Sequence, residues 1–236
     1  MNIEAGQIFL GDISIDVFQK RIKNLHLSVH PPSGRVRIAA PIHMNLDTIR
    51  VFALSKLAWI KKHQNRLRSQ ERETPREYIT RESHYFLGKR FLLRVIEQQD
   101  VPKVILKHSI LELYVRDSGN YEIKKNTIDA WYRNKLKEIV PRYIAKWSKV
   151  MNVEVAEFGI KRMKRKWGSC NSKASRIWLN LELAKKPVHC IEYLVVHEMI
   201  HLLERHHNER FYALMNHFLP QWKQYRKELN ETVLTY

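Results

Sequence analysis

The sequence predicts an α+β protein. Short runs that alternate apolar and polar residues occupy the first half, apolar residues at helical spacing dominate after residue 126, and clusters of Pro, Gly, Asn and Asp punctuate the early runs. At 236 residues, the chain suits one large domain or two small ones. The reading places a β-rich N-terminal region at 1–125, with one long helix over about 46–68, and a mixed, more helical region at 126–236.

Ile13, Ile15 and Val17 alternate with polar residues, as do Leu25, Leu27 and Val29, then Val36 and Ile38. Pro31-Pro32-Ser33-Gly34 supplies turn chemistry between the second and third runs, which predicts a hairpin. Asp47 is a candidate N-cap for the long helix, whose apolar positions Val51, Leu54, Leu57, Ala58 and Leu67 recur at helical spacing. The stretch from Arg68 to Arg81 is charged, contains Pro75 and reads as an exposed linker. Strands return at Tyr85–Leu87, Phe91–Ile96, Val104–Leu106 and Leu111–Val115, with Gly88 and Asp117-Ser118-Gly119-Asn120 as turn signals. Residues 127–150 read as a helix that Pro141 kinks or breaks. Val153–Gly159, a basic stretch and the run Ile177–Leu183 follow, then helices around 189–204, 208–218 and 220–231. No internal repeat is visible in the letters.

Composition limits the function classes. Hydrophobic residues at 44% and charged residues at 28% fit an ordinary soluble globular chain. Neither G-x-G-x-x-G nor a Walker sequence occurs, which argues against a glycine-rich phosphate loop. Two cysteines, Cys170 and Cys190, are too few for a disulfide framework and point to a reducing compartment. The N-terminus lacks a basic start followed by an apolar run, and no stretch approaches the roughly 18 apolar residues of a membrane span. A cytoplasmic location without membrane contact is expected. Lys and Arg number 42 against 24 Asp and Glu, and this surplus favours anionic partners, nucleic acid among them. Scattered along the whole chain, the same residues also serve plain solubility.

The chemistry concentrates in His197-Glu198-Met199-Ile200-His201-Leu202-Leu203-Glu204-Arg205-His206-His207-Asn208. Positions i and i+4 of a helix share a face, so His197 and His201 can bind one ion. Glu198 lies one residue round from His197, where it can accept a proton from a water in an open coordination position. If the helix continued, at about 100° per residue His206 would sit near 140° from His201 and His207 about 120° to the other side. Neither could join the ion, so the chain must turn. Asn208 offers an N-cap for a new helix with Phe211, Leu214, Met215 and Phe218 as its apolar face, and His207, just before that cap, can point back. His206 then reads as a solvated loop residue.

Trp167-Gly168-Ser169-Cys170, Ile177-Trp178-Leu179-Asn180, Tyr193 through Leu202 and His207-Asn208-x-x-Phe211-Tyr212 occur in order at characteristic intervals. Together they resemble the YgjP-like family of zinc-dependent metallopeptidases, related to the SprT and WLM groups. The stretch Arg21 to Leu25, Pro32 to Val36 and Pro41 is similar too, so the resemblance covers nearly the whole chain. Asn208 stands where the family often has serine, and His206 where asparagine is commoner. The resemblance implies a minimal zincin-like C-terminal metallopeptidase domain. It also implies a Zn²⁺ cofactor on His197, His201 and His207, with Glu198 as general base. It further implies a short sheet whose edge strand borders the cleft. The basic run Ile160 to Lys166 could guide an acidic or phosphorylated substrate, or be a solvated edge protected by lysines. Asn180 could fix a ligand imidazole or be an exposed strand residue. Cys170, Tyr212 and His217 read as structural.

The expected activity is therefore zinc-dependent hydrolysis of peptide bonds, on a peptide, protein or other anionic substrate. Two alternatives stand beside it: a metal-dependent phosphoanhydride hydrolase acting on nucleotide triphosphates, and a nucleic-acid-associated module with a structural metal.

Overall fold

Alternation along a strand sends successive side chains to opposite faces, and Ile13, Ile15 and Val17 accordingly all point into a core. The computed structural model describes residues 3–30, 33–69, 76–164 and 166–231. It divides into two units, Met1–Glu71 and Arg72–Tyr236.

In the first unit, β1 (Ile3–Leu10), β2 (Ile13–Lys20), β3 (His26–His30) and β4 (Arg35–Pro41) form one sheet in the order β1-β2-β4-β3. The pairs β1/β2 and β3/β4 are antiparallel and β2/β4 is parallel. The hairpin expected between β3 and β4 is present, with Gly34 at φ 74°; Pro31 and Pro32 lie outside the described residues. β1 carries no clean alternation and is bulged between Glu4 and Gly6, which is why its pattern does not announce a strand.

The long helix expected at 46–68 is two helices, α1 (Leu46–Ser55) and α2 (Leu57–Ser69). At Lys56 the backbone N–H bonds Ala53 O, an i→i−3 contact that tightens the chain and ends α1. Asn45, not Asp47, is the N-cap, its Oδ1 accepting from Thr48 N at 2.9 Å. Asp47 sits in the first turn, where its charge complements the helix dipole. Ile49, Ala53 and Ile60 complete the core of this unit with Ile8, Ile15, Val17, Val36 and Ile38. The side chain of Leu67 and residues 70–75 of the expected linker lie outside the described residues.

The second unit begins with the same wiring. β5 (Ser83–Phe86), β6 (Lys89–Glu97), β7 (Lys103–Lys107) and β8 (Ile110–Val115) are ordered β5-β6-β8-β7, again antiparallel, parallel, antiparallel. In each sheet five residues, 21–25 and 98–102, carry the chain past one strand position. Strands lie about 4.8 Å apart and five extended residues reach roughly 17 Å, so the span is ample. The repeat absent from the letters is thus present in the topology.

α3 (Tyr121–Met151) follows, N-capped by Asn120, whose Oδ1 accepts from Ile123 N at 3.1 Å. It runs unbroken through Pro141. Ile128, Tyr132, Leu136, Val140, Trp147 and Met151 are buried along one face, and that continuous packing outweighs the backbone bond that proline forfeits. The same cluster holds Leu93, Leu111 and Leu113 of the sheet. The boundary expected at 125/126 therefore falls inside α3 and within one core. The change of pattern there marks a switch from strand to helix.

β9 (Glu157–Lys161), β10 (Gly168–Asn171) and β11 (Arg176–Asn180) form a small sheet ordered β10-β11-β9. A 3₁₀ segment (Leu181–Lys185) leads to α4 (Val188–Ile200), then α5 (Glu209–Phe218) and α6 (Trp222–Glu231). Among the described residues, no helix is long and apolar enough to cross a membrane.

Candidate metal centre

α4 is apolar on nearly every side: Ile191, Leu194, Val195, Val196, Met199 and Ile200 are all buried. Its last turn carries His197 and Glu198 into the interior, and His201 caps it. The helix ends at Ile200, not near 204, because Leu202 and Leu203 switch to i→i−3 bonds with Met199 and Ile200. The chain turns through Glu204 to His207 and re-enters helix at Asn208, whose Oδ1 accepts from Phe211 N at 3.0 Å. This is the turn the histidine spacing demands.

The turn brings His197, His201 and His207 together, their donor atoms all within 4.8 Å of one another. His197 Nε2 and His207 Nε2 are 3.1 Å apart. His201 Nδ1 lies 3.1 Å from the Glu204 carbonyl oxygen. A carbonyl only accepts, so Nδ1 holds the proton and Nε2 keeps its lone pair for the centre. Phe211, with ring centroids 4.5, 4.9 and 5.1 Å from His207, His201 and His197, forms a common floor. His206 is exposed on the turn, with its backbone N–H on Glu204 Oε1.

Burial, with the neighbouring imidazoles His201 and His207 adding to it, pushes His197 down to about 3. Burial also lowers His201 and His207. All three are neutral near pH 7, the form that ligates metals. A zinc ion with Zn–N bonds of about 2.0–2.1 Å in tetrahedral geometry needs nitrogens roughly 3.3 Å apart. Three neutral imidazoles, one pair of nitrogens 3.1 Å apart, fit such an ion.

Glu198 is buried beside them at 4% exposure. Burial raises its carboxyl to about 8, with Lys166 pulling the other way. The backbone of β10 passes so close that a Cβ on Gly168 would lie 2.5 Å from Glu198 Oε1. All four residues of β10 line a cavity of about 860 Å³ that also holds His197, Glu198, His201 and His207. Among the described residues β10 pairs only with β11, and no described strand pairs with its other edge.

Several expected roles are redistributed. The strand bordering the cavity is β10, not the basic run at 160–166. Arg162 of that run pairs with Glu182 at 2.6 Å and Asp129 at 2.7 Å, and among its described members Lys166 alone lines the cavity. Arg165 lies outside the described residues. Asn180 is fully buried and touches no imidazole; its amide donates to the Met163 and Lys166 carbonyls, both at 2.8 Å, and fixes the loop into β10. Cys170 lines the cavity with its thiol pushed up to about 11 by burial, the Glu198 charge adding to it. Tyr212 lines it too, stacked on Trp222 at 5.7 Å, while His217 packs on Phe218. Sequence reasoning missed the parts played by Gly168, Phe211 and Arg226, the last of which lines the cavity from α6 and whose charge adds to the lowering of His197 and His207. Gly168 was visible as an unusually small residue inside its motif; the other two gave no signal beyond helical periodicity and charge.

A second cluster, His189, Cys190 and Glu228, has donor atoms within 4.8 Å. His189 Nε2 already meets Glu228 Oε2 at 2.6 Å, and burial pushes the Cys190 thiol up to about 12. It ties the start of α4 to α6.

A YgjP-like metallopeptidase domain model matches residues 23–232 of the chain. No curated protein matches the sequence. Solved structures with local likeness include the metallopeptidase zymogen abylysin of Pyrococcus abyssi, 16% identical over 38% of this chain and 90% of that one, with a TM-score of 0.36. The metallopeptidase zymogen jannalysin of Methanocaldococcus jannaschii is 18% identical over 39% of this chain and 94% of its own, with a TM-score of 0.35.

Proposed function

The chain belongs to the YgjP-like metallopeptidase family, and from that premise we propose that it hydrolyses peptide bonds with zinc on His197, His201 and His207 and with Glu198 as general base. It is a hydrolytic metalloenzyme by family; the ligand set and the role of Glu198 are our assignment. The convergence of three neutral imidazoles beside one buried carboxyl carries the reading. Bound there, zinc supplies Lewis-acid polarisation of a carbonyl, acidifies water and favours the ionised form of the nearby carboxyl.

The chain's own groups do the rest. Glu198 takes a proton from the attacking water and returns it to the departing amine. Its buried setting raises the carboxyl's affinity for a proton above that of an exposed glutamate, and bound zinc would offset part of that rise. The free edge of β10 can hold an extended substrate by strand addition, with the outward-facing backbone groups of Gly168 and Cys170 as partners. Phe211 keeps the imidazoles in place, and the His201–Glu204 bond fixes one tautomer.

Metal content by mass spectrometry, on wild type beside His207→Ala and His206→Ala, tests the ligand set. About one zinc per chain is expected, lost with His207→Ala and kept with His206→Ala. Glu198→Gln should keep the metal and lower kcat by about 10²- to 10⁴-fold. Zinc retained by His207→Ala would remove the three-histidine assignment.

A further inference from the structure

The cavity around the histidines is lopsided in charge. Among the described residues Lys166, Lys173, Arg205 and Arg226 line it, against Glu198 as the one acidic lining residue. Elsewhere in the same unit basic side chains sit on carboxylates: Arg162 on Glu182 and Asp129, Lys146 on Glu192, Lys107 on Glu112. None of the four cavity cations makes an ion pair with a described carboxylate, although Arg210 just outside reaches Glu204 at 3.9 Å. What sets the cavity apart is that these four cations converge on one concave surface around a single buried carboxyl.

The cations also come from separate elements. Lys166 stands at the entry to β10 and Lys173 in the 3₁₀ turn Ser172–Ala174 just after it. Arg205 lies on the loop before His207, and Arg226 on α6. Arg226 shares its wall with Trp222 and Tyr212, whose rings stack 5.7 Å apart. Its positive charge bears on both His197 and His207. A flat aromatic wall beside a guanidinium offers packing for a side-chain stem and a planar fork for its carboxylate.

We propose that this cavity selects acidic polypeptide segments, with Arg226 and Lys173 binding Asp or Glu side chains that flank the scissile bond. The proposal rests on the metallopeptidase reading above. A substrate extended along β10 presents alternate side chains to one side, so carboxylates spaced along it can meet the cations of the same cavity, Lys173 beside the end of the strand and Arg226 on α6. Such a segment supplies the counter-charges that the cavity lacks.

The test uses the full-length, zinc-loaded Glu198→Gln protein, so that binding is read without turnover. Fluorescence anisotropy compares a labelled peptide rich in Glu with the same peptide carrying Gln at those positions. The acidic peptide is expected to bind about tenfold more tightly at low salt, the gap narrowing as salt rises. Adding Arg226→Gln and Lys173→Gln, both at exposed side chains, should abolish the gap while zinc content stays unchanged. Equal affinities, including no detectable binding of either peptide, overturn the proposal, as does a gap that survives in that variant. Turnover of both peptides by wild type is scored separately: cleavage of neither counts against the peptidase reading, while the subsite is judged by the binding comparison.

Discussion

At the residue scale the contact between Gly168 and Glu198 joins backbone geometry to chemistry. A buried carboxyl keeps one position only if its surroundings leave it no other, and the strand backbone does this because residue 168 has no side chain. Gly168→Ala should therefore keep zinc bound yet lower kcat by about tenfold to hundredfold, since a displacement near 1 Å can cost that much. Kinetics paired with metal analysis would show it; unchanged kcat would mean that β10 does not hold the carboxyl in place. The convergence of His197, His201 and His207 was legible in the letters because helical spacing and the need for a turn restrict which imidazoles can meet. Gly168 was not, because a glycine's duty depends on what lies across from it. Asn180 misled for a related reason: an amide next to a metal motif suggests an imidazole partner, whereas full burial commits it to the backbone of its own loop.

At the scale of elements, the cap at Asn208 was readable, whereas Asn45 took the place expected of Asp47. Asn208 announced α5 through its own side-chain chemistry, and the strands of the two larger sheets, β1 excepted, followed from the sequence pattern. Pro141 suggested a break that tertiary packing overrides, and nothing in the letters marks the i→i−3 step at Lys56. Pro141 is exposed within α3, so Pro141→Ala restores an N–H directed at the Lys137 carbonyl with no change in the core. The expected gain is about 1–3 kcal/mol, below or near the full helix-interior penalty of proline. A thermal melt checks it: a lowered midpoint would mean that α3 is adapted to the proline.

At the scale of the whole molecule, two separate cores predict two unfolding events. His197, His201 and His207 all lie in the second unit, so zinc should move only that unit's transition, by about 4 kcal/mol at a thousandfold excess over Kd. Calorimetry with and without a chelator checks this; a single transition displaced as one would contradict it. The unit boundary was hidden because pattern reports secondary structure, while a unit is defined by which side chains share a core. The duplicated wiring was hidden as well. Residues 21–25 read Arg-Ile-Lys-Asn-Leu and residues 98–102 read Gln-Gln-Asp-Val-Pro, with no position in common. Both nonetheless deliver the following hairpin to the same slot. Such connectors act as spacers with a length specification and almost no spelling, which leaves their letters open to other duties while the sheet around each stays as it is.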